Sequence, residues 1–377
     1  MENALTSRER LETAWNFEEP DRVPIEMSIS KEAAADPRAA KLVELIRQHS
    51  DYFYGWSPPW GYFGLENTYE EEVIDEKPGE YVRRKRTYHT PAGDFTAQTY
   101  HPTSTKDPND YAWEKHYLSS PDDLRRILDA PCKPLPIDFD AYTRTLEKIG
   151  DKGILLVGFP QPFGDLARNT LRQDFYMWLV TERELMHQFL DEFTDRIYRQ
   201  LERIFARLKP RYFSQCGMEM AITPWISRPM FEEYITPTDG RLYGLIRRHG
   251  GKTRIHCHGC AMEYLERFHE IGIDGIEPCE PPPQGDVVLA EAKKRVGDRM
   301  LLCGNITSPQ FEFMDPDETE EMVKAAIRDG APGGGFVLRT TGGLGGTGCA
   351  GNLGRVLANC QRMMEAGVKY GRYPIRV

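Results

Sequence analysis

Residues 253–280, TRIHCHGCAMEYLERFHEIGIDGIEPCE, carry one full repeat of the pattern on which most of the chain is built. Thr253–His258 is an apolar run that ends in polar residues. Residues 260–271 space their apolar side chains for an amphipathic helix, and Gly275–Pro278 opens a second short run. Working outward, further candidate strands fall at Ile154–Gly158, Tyr212–Cys216, Leu301–Gly304 and Phe336–Arg339. Helical stretches at 181–208, 228–248, 287–296 and 316–330 lie between them, the last opened by Asp315-Pro316-Asp317-Glu318. Strands joined mostly by helices indicate a parallel sheet of βα units. No Gly-x-Gly-x-x-Gly follows an early strand, which disfavours an open dinucleotide-binding sheet. The sequence therefore predicts an α/β protein, a (β/α)8 TIM barrel forming a single domain over 1–377.

The first 150 residues are less regular. Thr6-Ser7-Arg8-Glu9 reads as a capping box for a helix to about Phe17. A short strand is expected near Ile25–Met27 and a helix over 36–50. Residues 51–118 are dense in Trp, Tyr, Pro and Gly, and read as a β-rich insertion covering part of one barrel end. Within it, Tyr81–His89 and Phe95–His101 form a hairpin around Thr90-Pro91-Ala92-Gly93-Asp94. Ser120-Pro121-Asp122-Asp123 opens the next helix. Seven strands are visible, and the eighth is expected between 51 and 120.

Composition narrows the function. Hydrophobic residues make up 40% and charged residues 28% of the 377, as in ordinary globular chains. A formal net charge of −10 disfavours nucleic acid, whose phosphates require a basic footprint. There is no apolar run long enough for a membrane span and no signal-peptide pattern. Eight cysteines in so long a chain form no disulfide framework. A reduced, cytoplasmic protein is expected.

Barrel enzymes place their chemistry at the carboxyl ends of the strands, and the suggestive residues fall there. His256 and His258 are two apart, so in an extended strand both imidazoles face one way and Cys257 the other. They read either as two ligands of a zinc-like ion or as polar residues closing a strand. Glu277 and Glu280 read as acid/base groups or a further ligand, or as carboxylates of a proline-rich turn. Cys279 offers a thiolate ligand or a small buried hydrophobe. Glu219, between Met218 and Met220, reads as a proton donor with a raised pKa or as a surface carboxylate. Arg339 suits a substrate carboxylate, or an ion pair with a nearby glutamate. The glycines from Gly330 to Gly348 form an anion cradle or a loop. No phosphate-binding Gly-x-x-x-x-Gly-Lys is present.

Several ordered motifs resemble the uroporphyrinogen decarboxylase superfamily. They are Ser7-Arg8-Glu9-Arg10 with Glu19–Pro24, Ser227–Pro237, Ile255–Gly259, the Glu280–Asp286 turn, and Gly304-Asn305-Ile306. The resemblance implies a (β/α)8 barrel with its site at the carboxyl-end mouth. It also implies one of two activities, porphyrinogen decarboxylation or corrinoid-linked methyl transfer. The decarboxylases grip their substrate with N-terminal arginines and carry a histidine near the last strand. Here Met27–Lys31 lacks the arginine pair, and Arg339–Gly343 lacks the histidine. The methyltransferases hold zinc through His-x-Cys and a remote cysteine. His256 matches the histidine, His258 replaces the cysteine, and the remote cysteine has no counterpart near Arg339, Cys349 lying farther along. A set of His256 and His258 completed by Glu277 or Cys279 would suit an oxygen donor better than a thiol.

The leading expectation is a methyltransferase or demethylase of the corrinoid-linked branch. The methyl group would pass between a small methylated substrate and a corrinoid (cobalamin) carried on a partner protein. Zinc on His256, His258 and Cys279, proton handling by Glu219, Glu277 or Glu280, and substrate orientation by Arg339 are the expected roles. The alternatives are a decarboxylase or lyase acting on a carboxylated molecule or tetrapyrrole, and a tetrapyrrole-binding module without turnover. A homodimer is an open option.

Overall fold

The computed structural model describes residues 4–61, 68–104, 111–342 and 352–377. Among these, twelve strands form two sheets. The barrel strands are β1 (Ile25–Glu26), β2 (Tyr52–Trp56), β7 (Gly153–Pro160), β8 (Tyr212–Cys216), β9 (Lys252–His256), β10 (Gly275–Cys279), β11 (Leu301–Ile306) and β12 (Phe336–Thr340). They run parallel in the order β1-β12-β11-β10-β9-β8-β7-β2. The remaining four, β3 (Thr68–Lys77), β4 (Tyr81–Thr90), β5 (Gly93–Pro102) and β6 (Ala112–Lys115), form an antiparallel sheet.

The barrel is nearly closed, and a buried charge completes it. Asp51 N donates to Ile25 O at 2.7 Å, joining the start of β2 to β1. The Asp51 carboxylate, fully buried, takes Arg10 and Arg22 at 2.7 and 2.8 Å and the Ile25 amide at 3.0 Å. A buried carboxylate persists only when its charge is paired and its lone pairs are used.

The amino end is plugged by the helix Ser7–Trp15, which has the expected capping box between Thr6 and Glu9. Leu11, Ala14 and Trp15 enter the barrel and pack with Ile154, Leu156, Tyr212, Leu301, Cys303 and Val337. Trp15 lies 4.7 Å from the Tyr212 ring and 5.7 Å from Phe53. Burying the leucine and the indole contributes roughly 1.5–3 kcal/mol each. With that end filled, the carboxyl-end mouth is the open end of the barrel among the described residues.

The eighth strand, Tyr52–Trp56, sits at the start of the stretch read as an insertion, so the added sheet begins only with β3. Aromatic and glycine-rich residues disguised it. The hairpin of β4 and β5 is present, with Thr90 paired to Gly93. β3, rich in Glu and Asp, was not foreseen because its acidic residues form ion pairs with β4 rather than facing a core. The glycine segment Gly333–Gly335 precedes β12 and so lies at the amino end. A Cβ on Gly334, whose φ is +75°, would stand 2.2 Å from Glu18 O, and the Gly333 amide is taken by Glu19 at 2.8 Å. This part of the cluster is a packed turn and no anion cradle. Gly343–Gly348 and Cys349 lie outside the described residues.

Candidate active site

Parallel register sets a row of side chains around the mouth. Cys216 stands beside His256, His256 beside Glu277, and Arg339 beside both Asn305 and Glu26. Because strand side chains alternate, Arg254 lies one layer below His256 on the same face.

These groups make a continuous charged chain. Arg254 is buried, stacks over the Phe53 ring at 4.1 Å and reaches Glu26 at 3.3 Å. Arg339 bridges Glu26 at 3.0 Å and Glu277 at 2.8 Å. The other Glu277 oxygen meets His256 Nδ1 at 3.0 Å. Burial alone would raise the Glu277 carboxyl, but the charges of Arg339 and Arg254 and the His256 hydrogen bond hold it well below the usual range. Burial would likewise lower the His256 imidazole. The hydrogen bond to Glu277 and its charge outweigh burial and raise it above 6.5. Arg339 and Arg254 cancel Glu26 and Glu277, so a proton on His256 is the uncompensated charge of the row.

His258 repeats the arrangement. Its Nδ1 lies 3.1 Å from Glu280 Oε2, which also accepts the Gly259 amide at 3.2 Å. The proline-rich turn supplies Glu280 by folding tightly: a Cβ on Gly285 would stand 2.3 Å from Glu280 O and 2.9 Å from Gly259 O. The two imidazole rings are 4.6 Å apart and nearly perpendicular. Both are partly exposed, at 30% and 38%. The expected shared orientation of the two rings at the rim is thus what the structure contains.

Other expected roles shift. Cys279 is fully buried, with its Cβ packed over Gly304, and burial pushes its thiol up. Cys279 is thus sealed in the packing, whereas the two imidazoles are open to solvent. Arg339 is held by two carboxylates through one nitrogen, Nη1, and its Nε donates to Thr340 O at 3.3 Å, so it braces Glu277. Glu219 does reach the rim, with Oε1 3.7 Å from Arg168 and Oε2 buried without a hydrogen-bond partner among the described residues.

The donor set decides how well zinc fits. A carboxylate on Nδ1 is how proteins orient a metal-binding imidazole, and both rings have one. Zinc sites take at least three protein ligands. Among the described residues no third His, Cys, Asp or Glu is grouped with the pair to hold an ion. Glu277 and Glu280 are engaged by the histidines themselves, and Cys279 is sealed. The described residues do not complete the set.

Sequence reasoning missed Arg254, Glu26 and Arg168. Alternation along Thr253–His258 would have found Arg254. Arg168, on the helix Pro162–Asn169, pairs with Asp165 at 2.8 Å and reaches Cys216 Sγ at 3.4 Å. Burial holds the Asp165 carboxyl up at about 6 against that pairing. Beneath them, fully buried Asp239 accepts Gln215 at 2.9 Å and Gln161 at 3.1 Å, tying the ends of β7 and β8 together. Its carboxyl is pushed up by burial to about 7. No local pattern announces such long-range partners.

The sequence profile described as uroporphyrinogen decarboxylase (URO-D) matches residues 109–366. A search of curated proteins gives no match. Among solved structures, a methyltransferase from Methanosarcina mazei is similar over 97% of this chain and 99% of its own, at 15% identity and TM-score 0.54. A B12-independent methionine synthase from Shewanella sp. W3-18-1 shares 12% identity over 64% of this chain and 68% of its own, with TM-score 0.38. A D-psicose 3-epimerase from Clostridium cellulolyticum H10 shares 11% identity over 66% and 84%, with TM-score 0.32. At these identities the first likeness is one of fold, and the other two add nothing to the argument.

Proposed function

This chain belongs to the uroporphyrinogen decarboxylase family, and within it we propose a methyltransferase that moves a methyl group between a small substrate and a corrinoid on a partner protein. The observation that carries the reading is the His256–Glu277–Arg339 relay at the mouth. Demethylating an ether, amine or thioether leaves a basic heteroatom, whose developing charge must be neutralised. The corrinoid would supply the methyl acceptor. Protonated His256 donates Nδ1–H to Glu277, which leaves Nε2–H, on the opposite edge of the ring, to deliver a proton to the departing heteroatom. Glu277 keeps the imidazole charged and fixes its rotation; Arg339 and Arg254 keep Glu277 ionised. His258, a ring's width away, is oriented by Glu280 to bind the same atom.

Decarboxylation of a carboxylated substrate fits less well. It needs a cation that grips the carboxylate, whereas Arg254 is buried on Glu26 and Arg339 spends its Nη1 on Glu26 and Glu277.

The test is incubation of the protein and reduced free cobalamin with methyl ethers, methylamines and methyl thioethers, following methylcobalamin by its visible spectrum. Methylcobalamin formation that disappears in His256→Gln is expected. Loss of carbon dioxide from a carboxylated compound without corrinoid, with no methyl transfer, overturns the proposal.

A further inference from the structure

The added sheet carries a hollow unrelated to the barrel row. We propose that it binds a planar aromatic carboxylate.

Register creates the hollow. On one face of the sheet, Arg86 of β4 stands opposite Glu71 of β3 and Ala97 of β5. On the next rung, Arg84 stands opposite Thr99, which in turn stands opposite Trp113 of β6. Side chains directly across a pair of strands touch only if they are large enough to fill about 5 Å. Ala97 and Thr99 are short, so a gap opens between the two guanidiniums and the indole. It amounts to a cavity of about 480 Å³, within the range of small-molecule sites.

Its walls divide by chemistry. On one side, the single carboxylate of Glu71 is shared by Arg84 at 2.9 Å and Arg86 at 2.7 Å. Two guanidiniums and one carboxylate leave one positive charge, in a chain whose net charge is −10. Burial lowers the nearby His101 imidazole, which adds no further charge near neutral pH. On the other side, Tyr111 and Trp113 keep 38% and 37% of their surface exposed. Neighbours hold them in place: His101 lies 5.2 Å from Tyr111, and His116 stacks on Trp113 at 5.1 Å.

Each wall selects a different part of one ligand. A guanidinium pair binds a carboxylate through parallel, charge-assisted hydrogen bonds. Glu71 already occupies that geometry as an exposed, solvent-screened partner, so a ligand carboxylate can join or replace it at little cost. A flat ring attached to the carboxylate would then lie against Trp113 and Tyr111. The wall also touches the barrel rim, since His116 Nδ1 meets Arg168 O at 3.2 Å and Arg168 reaches Glu219. The inference concerns binding alone and stands apart from the proposed methyl transfer.

The test is isothermal titration calorimetry on the full chain with 1-naphthoate, its neutral carboxamide, and acetate. Saturable binding of 1-naphthoate, weakened at least ~10-fold by removing either the charge or the ring of the ligand, is expected. Arg84→Gln with Arg86→Gln, and separately Trp113→Leu, should weaken it by a similar factor, with far-UV circular dichroism unchanged. His256→Gln should leave it intact. Absence of saturable binding, equal binding of the carboxamide, or loss of binding in His256→Gln but not in the Arg84/Arg86 variant overturns the proposal.

Discussion

Glu277→Gln tests the relay most directly, because it removes one charge and almost no volume. Glu277 is 8% exposed and serves two partners, Arg339 at 2.8 Å and His256 at 3.0 Å. Breaking a buried ion pair by neutralising one member costs roughly 3–5 kcal/mol. Arg339 retains Glu26 at 3.0 Å, and the amide oxygen of Gln can still accept a hydrogen bond. The low end, about 3 kcal/mol, is therefore expected. With unfolding entropy near ~2.1 cal/mol/K per residue, the whole chain has about 0.8 kcal/mol/K, so the apparent Tm should fall by roughly 4 °C. The sign with pH follows from the depressed carboxyl. Glu277 contributes stability that is present above its unfolded value near 4.5 and lost as pH falls through its folded value. The difference between parent and variant should then shrink in acid. The same substitution removes the Glu277 charge that opposes burial at His256 and leaves Glu219 as the carboxylate still acting against it, so its imidazole should drop. Carbon-13 histidine NMR, with His256→Gln assigning the resonance, reads that drop alongside thermal melts. An unchanged His256 titration would refute the relay, whatever happened to the Tm.

Methyl transfer should be fastest with His256 protonated, so the rate should fall as pH rises through a value above 6.5, a limb that His256→Gln removes. In the same window the raised imidazole adds stability that is complete below 6.5 and lost above its folded value, readable as a pH-dependent urea midpoint. Trp15→Ala empties the plug at the amino end and should cost about 3–5 kcal/mol in urea unfolding, with far-UV circular dichroism of the native state retained. A loss under ~1 kcal/mol would mean the helix does not fill the barrel. Under native conditions a thiol reagent should modify exposed Cys216 well before buried Cys257, Cys279 and Cys303, as peptide mapping would show. Early labelling of Cys279 would contradict its packing over Gly304.

The sequence alone determined the architecture and grouped the candidate residues at one end of it. Apolar runs spaced by amphipathic stretches admit few topologies, and a parallel βα array puts its loops at one end, so His256, His258, Glu277 and Glu280 could be assigned to a common rim. β9 ends at His256, and the chain just past it still brings the His258 ring within 4.6 Å of the His256 ring. Only the tertiary structure decided what each group does there. Arg339 turned out to brace Glu277, Arg254 and Glu26 joined the row from strands far apart in the chain, and Cys279 turned into the packing. Those outcomes depend on contacts between residues up to about three hundred positions apart, set by strand register and loop folding. Local residue patterns encode faces and periods, but they do not encode which distant charge arrives beside which. That pairing, rather than the residue types, fixes the protonation of His256 and with it the chemistry proposed for the mouth.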